Sequence, residues 1–241
     1  MLETPGLPQR KAGLLLSQRY PPLRSLGVEL IETVRNGHLD EPVGLHADML
    51  CCHLGGPRIL VDRTDAPYAR RLREYGFDTL PCRSTLGRKY PQDIALNALL
   101  DGRHLIGRLP FLDGALLEQA GRLGITAVDT KQGYAKCAVC MVDRDAAVTA
   151  DSGLAAVLSG LGYAVLLIEN GDIRLPGYSY GFIGGCCGFI GRDVMAFSGH
   201  LRFHRNFREI EAFFRRRGKR ILYLADEPPL DIGGILPLAE V

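Results

Sequence analysis

Apolar residues along the chain recur in one order: a stretch at helical spacing, a glycine, then a short β-branched or aromatic run. The order runs through Leu23–Ile31 about Gly27, Ala69–Leu80 about Gly76 and Leu117–Val128 about Gly124. It returns at Leu154–Ile168 about Gly162 and Ile210–Leu224 about Gly218. Helical spacing buries one face of a helix. The glycine supplies the left-handed residue that ends it, and the following run suits a buried strand. Start signals agree: Pro67 in a first helical turn, Asp113 and Asp151 as N-caps, and Asn206 with Glu209 as a capping box.

Hairpin-like pieces separate the copies. Gly44–Asp48 leads through Gly55-Gly56 to Ile59–Val61, and Ile94–Asn97 turns at Asp101-Gly102 into His104–Ile106. Cys137–Val142 turns at Asp143–Asp145 into Ala147–Thr149, and Phe182–Cys186 leads to Val194–Phe197. The Asp-Gly and Gly-Gly pairs are turn signals. The first copy has no hairpin before it, and Leu230–Leu238 has no helix after it. Joining these half units gives a fifth unit and removes exposed sheet edges. The expected fold is α/β, a five-bladed ββαβ propeller closed by pairing of the N- and C-terminal segments. It would form a single domain over 1–241, with residues 1–20 an extended N-terminal arm. The competing architecture is an open α/β sandwich.

Composition narrows the class without naming an activity. The chain has 241 residues, 46% hydrophobic and 23% charged, which excludes disorder, a collagen-like chain and a small disulfide scaffold. Lys+Arg is 29 against Asp+Glu 27, a net charge of +2, so bulk charge does not point to nucleic acid. The Gly13–Leu16 run is too short for a signal core or a membrane span. Seven cysteines, with two vicinal pairs, fit a reduced chain, and a cytoplasmic location is expected.

Three blocks are more specific: Lys131-Gln-Gly-Tyr-Ala-Lys-Cys137, Leu175-Pro-Gly-Tyr-Ser-Tyr-Gly-Phe-Ile-Gly-Gly185 and Asp231-Ile-Gly-Gly-Ile-Leu-Pro-Leu238. With the fivefold repeat they resemble an uncharacterised bacterial family of the pentein, or guanidine-group-modifying enzyme, fold. The resemblance runs from about Gly44 to Leu238. It implies a ligand site in the central channel. Penteins include deiminases, dihydrolases and amidinotransferases, and also a ribosome anti-association factor. In the enzymes a thiolate attacks the guanidinium carbon, a His moves protons and carboxylates grip the cation.

His46-Ala-Asp48 matches the His pattern of those enzymes, and a period-2 strand would turn both side chains the same way. The competing reading is a satisfied core His with an incidental Asp. The usual C-terminal Cys is missing: Asp231-Ile-Gly-Gly stands in its place. Cys137, flanked by Lys131 and Lys136, is the first substitute nucleophile and Cys186 the second; both equally suit small buried hydrophobes. Asp48 and Asp231 are the candidate cation-binding carboxylates. Asn97, Gln132 and Tyr134 would line the channel, or else hydrogen-bond across the ring.

Cys137-Ala-Val-Cys140 has the spacing of half a zinc site but lacks its other half, so no metal and no cofactor is assigned. The expected activity is Cys-dependent hydrolysis or transfer on a guanidino or amidine compound. The alternative is a non-catalytic pentein binding a small ligand or a macromolecular partner, for example the ribosome. The oligomeric state is left open.

Overall fold

Each of the five glycines that end the sequence copies takes a positive φ: 60° at Gly27, 84° at Gly76, 70° at Gly124, 88° at Gly162 and 67° at Gly218. In the computed structural model, which describes residues 1–241, every one of them separates a helical segment from a strand.

Five three-stranded sheets result. Four share one pattern of an antiparallel hairpin, a helix, and a third strand parallel to the middle one. They are β3 (Cys51–Gly55), β4 (Arg58–Val61), α2 (Pro67–Glu74) and β5 (Asp78–Pro81); β6 (Leu99–Leu100), β7 (His104–Gly107), α3 (Gly114–Arg122) and β8 (Thr126–Asp129); β9 (Val139–Asp143), β10 (Ala146–Thr149), α5 (Ser152–Gly160) and β11 (Ala164–Leu167); and β12 (Cys187–Gly191), β13 (Val194–Phe197), α6 (Phe207–Arg216) and β14 (Arg220–Tyr223). The registers are regular, as in Cys51 opposite Val61 and Ile59 beside Thr79.

The fifth sheet closes the ring. β15 (Leu236–Glu240) pairs antiparallel with β1 (Ala12–Ser17), and β1 pairs parallel with β2 (Glu29–Glu32). The two half units join as the hairpin count predicted. The architecture is the pentein-like five-bladed propeller.

Burial follows strand order. The middle strands are almost wholly buried, while the third strands β5, β8, β11 and β14 are largely half-exposed or exposed. Each helix lays one apolar stripe inward, such as Tyr68, Ala69 and Leu72 of α2, or Ile210, Phe213 and Phe214 of α6. The first strands β3, β6, β9, β12 and β15 line one axial cavity together. Backbones crowd there. A Cβ on Gly188 would strike the carbonyl of Ile235, and one on Gly184 the carbonyl of Val139. Close approach thus accounts for part of the glycine-rich run Gly181–Gly191.

Four expectations need correction. Residues 1–20 are not an arm: Ala12–Ser17 is a central strand, and Leu2 and Leu7 are buried. The helix of the first unit is a short 3-10 turn, Pro21–Leu26. Asn206 makes no cap bond and instead accepts from the Glu169 amide at 2.9 Å. The first strands also begin later than expected, at Cys51, Leu99, Val139 and Cys187. The residues before them form short helical turns, among them α1 (Ala47–Leu50) and α4 (Ala135–Ala138), and these turns carry the site. Asp113 and Asp151 do cap α3 and α5. No helix is long and apolar enough to cross a membrane.

Candidate functional site

Around the ring, the segment before each first strand points side chains inward. These segments supply His46 and Asp48, Asp93 and Asn97, Tyr134 and Cys137, and Asp231, while the segment before β12 contributes the Phe182 ring.

Cys137 lies in α4 with its thiol buried. Its Sγ donates to Asp48 Oδ2 at 3.0 Å and accepts from Asn97 Nδ2 at 2.8 Å. Asn97 is locked by both ends of its amide: Nδ2 also donates to the Asp48 carbonyl at 3.1 Å, and Oδ1 accepts from the Lys136 amide at 2.9 Å. Such a fixed amide holds its partner in one geometry. Burial first, then the Asp48 and Asp231 carboxylates, push the Cys137 thiol well above its ordinary value, while the Asn97 bond pulls it down.

Asp231 sits in a tight turn. Its Oδ2 accepts from the Phe182 amide at 2.9 Å and its Oδ1 from the Gly233 amide at 3.0 Å. Gly185 lies so close that a Cβ there would collide with the Asp231 carboxylate, and a Cβ on Gly233, at φ 70°, would collide with His46. His46 Nδ1 stands 3.7 Å from Asp231 Oδ1, and both residues are buried. Burial raises the Asp231 carboxyl and His46 lowers it.

His46, Cys137, Asp231, Asp93 and Tyr134 line a single cavity of about 270 Å³. Met49, Val43, Leu175, Tyr178, Ser179, Tyr180 and Phe182 complete its wall. The Tyr134 and Phe182 rings are 5.8 Å apart, with Tyr180 packed edge-on against Phe182 at 6.1 Å. The lining holds no Lys and no Arg.

Asp93 escaped the sequence reading. It is 4% exposed, and Tyr134 donates to its Oδ2 at 2.6 Å, while its Oδ1 has no partner. Burial raises its pKa. Its place four residues before Asn97 was the only signal, since the segment reads as strand.

The other sequence candidates separate. His46 and Asp48 do not face the same way, because they occupy a helical turn and not a strand. His46 faces the cavity with Asp231; Asp48 lines the axial cavity of the first strands and reaches Cys137. Asn97 does not line the site cavity but holds its thiol. Gln132 is not in the channel: it donates to Asp151 Oδ2 at 2.9 Å, bracing the cap of α5. Cys186 is 0% exposed in an apolar core, with its thiol on the Ile183 carbonyl, and does not reach the cavity. Tyr134 and Asp231 both line the cavity as expected by position. Cys140 points away from Cys137, into contact with Met195 Sδ at 3.4 Å.

Solved structures similar to the chain include two amidinotransferases. One is the inosamine-phosphate amidinotransferase StrB1 from Streptomyces griseus, at 13% identity and TM-score 0.60, covering 100% of this chain and 98% of that one. The other is SxtG, an amidinotransferase from Microseira wollei in the saxitoxin biosynthetic pathway, at 8% identity and TM-score 0.56, covering 96% of each. At these identities the likeness is one of fold, and it is the pentein fold. No curated protein matches the chain. A family model matches residues 17–236, nearly the whole ring, and the chain belongs to that family of unknown function, DUF6873.

Proposed function

We propose that the protein binds a small guanidinium or amidinium compound in the 270 Å³ cavity and acts on it through Cys137. One observation carries the reading: a thiol, a His and two buried carboxylates line the same cavity, which has no Lys and no Arg. Buried carboxylates suit a planar cation, which they grip by paired charge-assisted hydrogen bonds. The fold shared with amidinotransferases supports the same chemistry by analogy.

The residues divide the work as follows. Asp93 and Asp231 hold the cation. The Cys137 proton passes to Asp48, to which it already points, and Sγ bonds to the amidinium carbon. The C–N bond to the leaving amine breaks, and that amine takes a proton from His46. Water or an acceptor amine then attacks the same carbon and gives a proton back to His46, the C–S bond breaks, and Sγ recovers its proton from Asp48. Bound cation also offsets the carboxylate field that raises the thiol.

A second reading has its own support. The thiol is held up by burial and two carboxylates, which fits a site that binds and does not turn over. Ammonia, urea or amine release from alkylguanidines and amidines decides between them. Turnover lost by at least about a thousandfold in Cys137→Ser, with binding retained, supports catalysis. Tight binding without turnover supports the second reading, and neither binding nor turnover overturns both.

A further inference from the structure

We infer that the compound this cavity accepts carries no carboxylate or other anionic group. The inference rests on the cation-binding reading above and narrows it. The lining offers three ionisable acids or bases besides the thiol and phenols: Asp93, Asp231 and His46. An anion entering there meets two carboxylates and no Lys or Arg.

Four donors at or behind the cavity wall are already used. The Phe182 and Gly233 amides both go to Asp231. The Tyr134 hydroxyl goes to Asp93, and the Tyr178 hydroxyl to Asp40 Oδ2 at 3.0 Å. Asp40 therefore adds a third carboxylate behind the cavity wall, and its field is felt at Asp93. Asp93 is 4% exposed and its buried Oδ1 has no partner, which suits a donor on the bound compound and not an acceptor. The remaining wall is Val43, Leu175, Phe182 and Tyr180, which suits an alkyl or aryl body. A second positive group is tolerated toward Asp40; a negative one is repelled along the whole cavity.

Calorimetric titration of the purified protein with n-butylguanidine, agmatine and L-arginine at 0.15 M salt tests this. Agmatine is arginine without its carboxylate, so the pair isolates the anion. The first two are expected to bind, with arginine at least about tenfold weaker than agmatine. Asp93→Asn is expected to weaken n-butylguanidine and agmatine by at least about tenfold. Ser179→Arg, at an exposed position of the lining, is expected to narrow the gap between arginine and agmatine. Arginine binding as tightly as agmatine overturns the inference while leaving the cation-binding reading in place. Failure of all three probes to bind overturns both.

Discussion

At the scale of single residues, the chain keeps several ionisable groups in places that ordinary hydration would not allow. His53 is the clearest. It lies in β3, donates Nε2 to the Gly56 carbonyl at 3.0 Å, and leaves Nδ1 buried without a partner. Burial pulls its pKa down from 6.5 to about 4, with the Gly56 bond acting against that pull. The unfolded chain therefore takes a proton at His53 before the folded chain does. The stability His53 contributes is fully present above its unfolded value of 6.5 and is lost as the pH falls toward 4. The loss is ~3 kcal/mol. Denaturant unfolding at pH 7 and pH 4.5 checks this: the wild type is expected to lose more stability than His53→Gln, and equal losses would refute it. At the same scale the sequence revealed the site only in part. His46 was legible through its match to the enzymes' His pattern, and Cys137, Tyr134 and Asp231 because, with the resemblance in hand, each stands at a unit start or begins the closing segment. Asp93 was hidden, because the segment it opens, Ile94–Asn97, reads as strand and draws attention to Asn97 alone. Asp48 was assigned to the cation because local periodicity cannot tell a strand from one helical turn. Only the ring shows that it serves the thiol.

At the scale of elements, the caps show what a motif alone cannot settle. Asp113, Asp151 and Asn206 all precede helices, yet they do different work. Asp113 is fully buried and accepts four backbone amides: Ala115 at 2.8 Å, Leu116 at 3.4 Å, Arg83 at 2.8 Å and Ser84 at 2.6 Å. It ties α3 to the segment that follows β5. Asp151 accepts one amide, from Leu154 at 2.8 Å, beside Gln132. Asp113→Ala is expected to cost about 2–4 kcal/mol, since it loses a cap and strands buried donors. Asp151→Ala is expected to cost about 1 kcal/mol. Urea unfolding of both variants measures the difference, and equal costs would show that the extra Asp113 bonds do not matter. The helix ends were well read, because a left-handed glycine has a local physical cause. The strand starts were not, because the turns α1 and α4 are stabilised by packing around the axis, a distant cause.

At the scale of the whole molecule, closure by β1 and β15 draws Leu238 of the final strand into the core. Leu238 is 0% exposed and accepts from the Leu2 amide through its carbonyl at 2.9 Å. Substitutions near a chain end are ordinarily mild. Here Leu238→Ala is expected to cost about 2–4 kcal/mol, as much as Leu60→Ala in the middle of β4. Thermal and chemical melts of the two variants check it; a negligible effect at Leu238 would mean that the ring does not depend on its final strand. The fivefold layout itself was legible, because the half units at the two ends had to be matched. The position of the site was legible only through resemblance. The same closure bears on when ligand binding becomes available to the chain. The lining of the proposed site arrives from the segment before the first strand of each blade, with Asp231 brought in by the closing segment, so no partly assembled set of blades holds the whole of it. A ligand bound there as proposed would draw on the closed ring alone, and its occupancy would stabilise every blade at once.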